Sequence, residues 1–215
     1  MEQERPVRLA GGTLGRERHI CALFNNHDEE HRVLRSFFTE GLDRGEKAVH
    51  VVGPEQRHHH VARLREAGID VEQAIARGQL DVLAWTDVYF RGDRFDQDAM
   101  LAFVEELLRA GGASGHPQQL LGHMEWSLLD KPGVEDLLEY ETRLNYLIPK
   151  YEDTVICSYD LSRFGARLAV DIMRTHPVVI VGGILQENPF FVPPDQFLLE
   201  LRERGVARQE TRPLH

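Results

Sequence analysis

Residues 19–54, HICALFNNHDEEHRVLRSFFTEGLDRGEKAVHVVGP, decide the fold. Ile20, Ala22, Leu23 and Phe24 form an apolar run too short for a helix, and Asn25-Asn26 breaks it. Asn26 suits a helix N-cap, with Glu29 three residues on as the reaching-back acid of a capping box. Val33, Leu34, Phe37, Phe38 and Leu42 recur at helical spacing and make one apolar face. Gly45 stands where a helix commonly ends, and Ala48 to Val52 is a second strand. Both strands are apolar on successive residues. That pattern belongs to a parallel sheet covered by helices on both faces.

In such folds the turn between strand and helix carries the ligand. A phosphate-binding loop there would need glycines, a lysine and a hydroxyl residue. The turn reads Asn25-Asn26-His27-Asp28-Glu29-Glu30 instead. Asp28, Glu29 and Glu30 place negative charge on the positive end of the helix dipole, where a phosphate would meet like charge. The layout is that of a nucleotide site and the chemistry opposes it.

Composition narrows the function classes. The 215 residues suffice for one α/β domain. A formal charge of −10 without a basic block argues against nucleic acid and anionic membranes as partners. No apolar segment approaches the ~18 residues of a membrane span, and the N-terminus lacks a signal-peptide core. A cytoplasmic location is expected. Cys21 and Cys157 lie in apolar strand-like runs and read as buried thiols rather than nucleophiles.

Along the chain, residues 1–17 read as a flexible lead-in and 205–215 as a tail, leaving 18–204 as one domain. Pro54 fits the start of a helix to Ala67, and a short helix follows over residues 69–77. Leu80 to Trp85 is a strand, Thr86 to Phe95 is irregular, and Asp96 caps a long helix. Gln119 to Trp126 and Thr154 to Tyr159 are strands separated by a helix bearing Leu137, Leu138 and Leu144. A helix around Leu168 to Met173, a strand over Val178 to Val181 and a final helix over 195–204 complete the pattern. Alternation of strands and helices predicts a three-layer α/β/α sandwich with a mainly parallel central sheet.

Several stretches in this order resemble one family. They are HICALF with its acidic helix start, EAGIDVEQAIARGQLDVLAWTDVYF, HMEWSLLDKPGVEDLLEYETRLN, VICSYDLSRF, and RTHPVVIVGG followed by ENPFFVPP. Together they are similar to the MEDS domain, a sensory domain of regulators in methanogens and methylotrophs, including dichloromethane-responsive repressors. The resemblance implies a RecA/KaiC-like fold whose phosphate-binding loop has been lost, and a non-catalytic sensory role. No DNA-binding helix pair or kinase domain is readable here, so the expectation is a stand-alone module that signals through another chain.

Under a RecA-like strand order, the strands beginning at His19, Gln119 and Thr154 are central, and ligands belong beyond their carboxyl ends. The expected cleft is walled by Asn25, Asn26 and Glu29 on one side and by Glu125 and Trp126 on the other, with Tyr159 and Asp160 closing it. A neutral or cationic small ligand suits those acids. Glu141 and Asn145 share one helical face, read either as a polar edge of the cleft or, preferably, as a solvated surface. His176-Pro177 reads as a strand entry.

His27, Glu30 and His31 fit an H-x-x-E-H pattern, but no third ligand is marked, and His58-His59-His60 reads as a solvated helix face. No catalytic residue, metal or cofactor is therefore expected. The partners expected are a small-molecule ligand, a signalling protein, or both. The alternatives are a nucleotide-binding KaiC-like ATPase with an atypical loop, or a pure protein-interaction module.

Overall fold

The computed structural model describes residues 7–210. A hairpin of β1 (Val7–Leu9) and β2 (Gly12–Leu14) leads in. Then come β3 (His19–Phe24), α1 (His27–Asp43), β4 (Lys47–Val52), α2 (Arg57–Glu66), α3 (Val71–Ala76) and β5 (Leu80–Ala84). The irregular stretch holds a single-turn α4 (Trp85–Val88) and a small ribbon of β6 (Phe90–Arg91) and β7 (Arg94–Phe95). It is followed by α5 (Gln97–Ser114), β8 (Gln118–His123), α6 (Leu137–Leu144), β9 (Thr154–Asp160), α7 (Ala166–Arg174), β10 (Val178–Val181), β11 (Ile184–Glu187) and α8 (Pro194–Glu210).

Seven strands form the main sheet in the order β11-β10-β3-β9-β8-β4-β5. All neighbours are parallel except β10 and β11, a hairpin turned by Gly182 and Gly183 at φ 58° and 76°. Two successive positive φ values favour glycine strongly. The expected sandwich is thus present, with β3, β9 and β8 at its centre.

The local signals act as read. The Asn26 carbonyl oxygen accepts from the Glu29 amide at 2.9 Å, and the Glu29 carboxylate accepts from the Asn25 amide at 2.8 Å. This reciprocal pair satisfies amides that the first turn of α1 leaves open. Asp70 and Asp96 cap α3 and α5 by accepting from the Gln73 and Ala99 amides, without the return bond.

Each strand feeds two cores. Ile20, Ala22 and Phe24 pack with Leu34, Phe37 and Phe38 of α1 on one face. Cys21 and Leu23 pack on the other, with Val104 and Leu108 of α5 and with Tyr140 and Leu144 of α6. Period-two alternation is therefore present in a strand that looks uniformly apolar. Each large side chain so buried contributes roughly 1.5–3 kcal/mol.

Two boundaries differ from the sequence reading. The lead-in is not free: Leu9 and Leu14 are buried in the α1-side core, and the Leu185 amide donates to the Ala10 carbonyl. Residues 1–6 of that expectation lie outside the described residues. At the other end α8 continues through residue 210 instead of ending at 204, and 211–215 lie outside the described residues. Truncating Leu9 to Ala should cost about 2–4 kcal/mol in urea unfolding, the range for a buried leucine. A loss below ~0.5 kcal/mol would mean that the hairpin does not pack.

Candidate ligand site: a histidine-lined cavity

Side chains with polar ends occupy the α1 face of the central strands near their carboxyl ends. His123 closes β8, Ser158 precedes the last turns of β9, and His50 lies within β4. All are buried. Glu30 in the first turn of α1 meets them from above. Its carboxylate accepts from Ser158 Oγ at 2.6 Å and lies 2.9 Å from His123 Nε2. His27, the first residue of α1, stacks on the His123 ring with centroids 4.9 Å apart. His60 reaches in from α2, with Nε2 2.8 Å from His50 Nδ1.

A cavity of about 230 Å³ opens over this cluster, lined by His27, Glu30, His31, Gln56, His60 and His123 among others. His27 Nε2 and His123 Nδ1 are buried without a hydrogen-bond partner, and so is Glu125 Oε2 nearby. Unpaired buried polar atoms are costly and ask for a partner.

The electrostatics follow from burial and pairing. Burial resists ionisation of Glu30, but the charge on His123 and hydrogen bonds from His123 and His27 outweigh it and hold the carboxyl well below its usual range. His27 is raised, chiefly by its contact with Glu30, with the charges of Glu125 and Asp160 adding to it. Burial, and then the neighbouring His123, lowers His60 to about 3.

The residues expected to wall a cleft go to separate places. Asn25 and Asn26 are exposed, Glu29 is half-buried, and all three are used up in the cap of α1. Trp126 is fully buried on the opposite face, stacked on Tyr89 at 4.6 Å and tilted against Phe95 at 4.4 Å. Tyr159 is also buried on that face, donating to Glu141 at 2.9 Å. Neither ring can wall a cleft. Glu125 is buried and accepts from the Asp160 amide at 3.1 Å, while Asp160 accepts from Ser162. These last two acids remain close enough to bias His27.

Three expectations about polar residues are overturned. Glu141 is not on a solvated face: it is wholly buried, with Oε2 3.1 Å from His19 Nε2 and 3.2 Å from His176 Nε2. His176 is more than a strand entry, being buried beside it. His60 turns into the cavity, His59 lies exposed at its rim, and His58 stays exposed. Cys21 and Cys157 are register partners on β3 and β9, both buried, and burial pushes both thiols well up. That leaves neither activated as a nucleophile.

This is a three-layer α/β sandwich with histidines and one buried glutamate near the carboxyl ends of its central strands, the end at which open α/β sheets bind ligands. A crystal structure of a KaiC-like protein from Pyrococcus horikoshii superposes with a TM-score of 0.56 over 81% of this chain and 80% of that one, at 16% identity. The chain belongs to the MEDS family, described as the methanogen/methylotroph, DcmR sensory domain, which residues 18–177 match. The transcriptional repressor DcmR of Methylorubrum extorquens is 26% identical over 172 residues, 79% of this chain. The chain spans 62% of the length of that repressor. Among the described residues no helix is long and apolar enough to cross a membrane.

Two measurements check the site. Trp126→Ala should behave as a core deletion, costing about 3–5 kcal/mol of stability; a loss under ~1 kcal/mol would return Trp126 to a cleft wall. The second is pH dependence. His60 binds its proton less readily folded than unfolded, so its contribution is intact above its ordinary value of 6.5 and lost as pH falls from there toward 3. From pH 7.5 to 5, wild type should therefore lose about 1–2 kcal/mol more stability than His60→Asn. Equal losses would mean that His60 is solvated.

Proposed function

We propose that this chain is a non-catalytic sensory module that takes a small polar molecule into the histidine-lined cavity and passes its occupancy to a partner protein. The observation that carries this reading is the cavity itself. It lies at the carboxyl ends of β8 and β4, beside the start of α1, and His27 Nε2 and His123 Nδ1 are left unpaired in its lining. Ligands of open α/β sheets bind at this end. About 230 Å³ is below the ~300–1,000 Å³ of drug-sized sites, which favours an occupant of few heavy atoms. Membership in a sensory family and the likeness to a repressor support a regulatory rather than a chemical role.

A nucleotide hydrolase is the weaker reading. The turn after β3 offers no glycine or lysine to phosphate, and its Asp28, Glu29 and Glu30 oppose one. Mass spectrometry of small molecules released from the purified chain tests the proposal. One compound should be enriched with wild type and lost from Glu30→Gln and from His59→Trp, the latter chosen to fill the cavity mouth. No enrichment would leave a pure interaction module as the better account. Magnesium-dependent phosphate release from ATP would overturn the non-catalytic reading.

A further inference from the structure

A second polar cluster lies on the opposite face of the sheet, toward the amino ends of β3 and β10. His19 starts β3, Cys157 sits within β9, His176 precedes β10, and Glu141 projects from α6. All are buried, and their ligand atoms lie within 4.8 Å of one another. Glu141 Oε2 is 3.1 Å from His19 Nε2, 3.2 Å from His176 Nε2 and 3.5 Å from Cys157 Sγ. Cys157 Sγ is 3.7 Å from His19 Nε2.

The hydrogen bonds behind these atoms fix where the protons are. Asn145 Nδ2 donates to the carbonyls of Glu141, Thr142 and Thr175. The Asn145 oxygen is therefore the atom 3.0 Å from His19 Nδ1, and Nδ1 must carry the proton. His176 Nδ1 lies 2.9 Å from both the Ile172 carbonyl and Thr175 Oγ1; the carbonyl can only accept and the Thr175 hydroxyl donates to it at 2.7 Å, so Nδ1 carries a proton too. In the neutral rings both Nε2 atoms then present lone pairs. Both lone pairs face the same carboxylate oxygen, so acceptor meets acceptor in a dry site. At the histidine-lined cavity the situation differs, because His123 Nδ1 has no partner and Nε2 is free to carry the proton toward Glu30.

A proton on either Nε2 or a metal cation would resolve this conflict, and Cys157 Sγ as a fourth donor 3.5 Å from the same oxygen favours the metal. Zinc held by nitrogen and oxygen at about 2.0–2.1 Å and by sulfur at about 2.3 Å has tetrahedral edges of about 3.3–3.6 Å, close to the spacings present. Both imidazoles donate their far nitrogen to an oxygen, the arrangement that orients metal-bound histidine. The other oxygen of Glu141 accepts from Tyr159. A divalent ion with one carboxylate and one thiolate is electroneutral, which suits burial. Binding would release the Cys157 proton to solvent.

We infer that His19, Glu141, Cys157 and His176 form a closed structural site for a zinc-class divalent ion that pins α6 to β3, β9 and the start of β10. This reading stands independently of the cavity, and it replaces the expectation of no metal drawn from sequence.

Elemental analysis of the full chain, purified without chelator, should find about one zinc-class ion per chain. After unfolding with chelator and refolding with Co²⁺, wild type should show the intense visible bands of tetrahedral cobalt and a near-ultraviolet thiolate-to-cobalt band. Cys157→Ser should lose the thiolate band, Glu141→Gln should lower the metal content severalfold, and His123→Ala should keep both. If Cys157→Ser fails to fold, the wild-type thiolate band still decides, because Cys21 is the only other cysteine and Cys21→Ala should retain it. Metal-free wild type with unchanged melting on zinc addition would overturn the inference. So would a cobalt spectrum lacking the thiolate band, or one that disappears in His123→Ala.

Discussion

A parallel sheet buried on both faces leaves no strand side chain to water. Every polar residue in a central strand must therefore be met by a residue from a covering helix. That requirement organises this protein. β3, β9 and β8 carry His19, Cys157, Ser158 and His123 into the interior. Glu30 of α1 and Glu141 of α6 come down from opposite layers to meet them. An unpaired buried carboxylate would be disfavoured by several kcal/mol, so each glutamate constrains the seating of its helix as firmly as the apolar contacts around it.

The strand-to-helix turn illustrates how neighbouring acids divide their tasks. Asp28, Glu29 and Glu30 are equivalent to a composition count. Helical geometry separates them by about 100° each. Glu29 turns back to the Asn25 amide and closes the cap. Glu30 turns inward to His123 and Ser158. Asp28 stays at the surface beside Arg63. The protein's own carboxylates thus occupy the strand-to-helix turn, and the histidines of β8 and α2 lie to one side of it, around the cavity.

The βαβ unit, the caps and the layer order were legible because each depends on local spacing. The β1–β2 hairpin was not: its strands are three residues each, and its turn uses Ala10 at φ 46° before Gly11, with no strong hairpin dipeptide. The edge strand β11 was hidden because most of its residues are exposed. In the site, Glu125 and Asp160 were placed near the correct end of the sheet, but Trp126 and Tyr159 were assigned to a cleft without knowing which face they occupy. Strand parity decides that for Tyr159; for Trp126 it is decided by a 3-10 turn over Met124–Leu128, since β8 ends at His123 and not at Trp126 as the sequence suggested. Glu141 did carry a readable signal: it is four residues after Leu137 and three before Leu144, so it shares their apolar stripe. His19, His123 and His176 carried none, since the carboxylates they meet are 122, 93 and 35 residues away.

Strand β9 links the two faces most directly. Cys157 and Ser158 are consecutive, and pleating sends one toward α6 and the other toward α1. The α6 side is anchored by Glu141, His19 and His176 in a dry, tightly spaced cluster. On the α1 side the cavity wall is made of α1 and α2, whose contact at the cavity includes the exposed Arg63–Asp28 pair, and exposed pairs hold little. An occupant of the cavity would press against β8 on one side and α2 on the other, where Leu64 and the Arg57 contact to the Val82 carbonyl seat the helix. On the proposed sensory reading, the layer that meets an occupant is α1–α2, which lines the cavity, rather than the α6 layer.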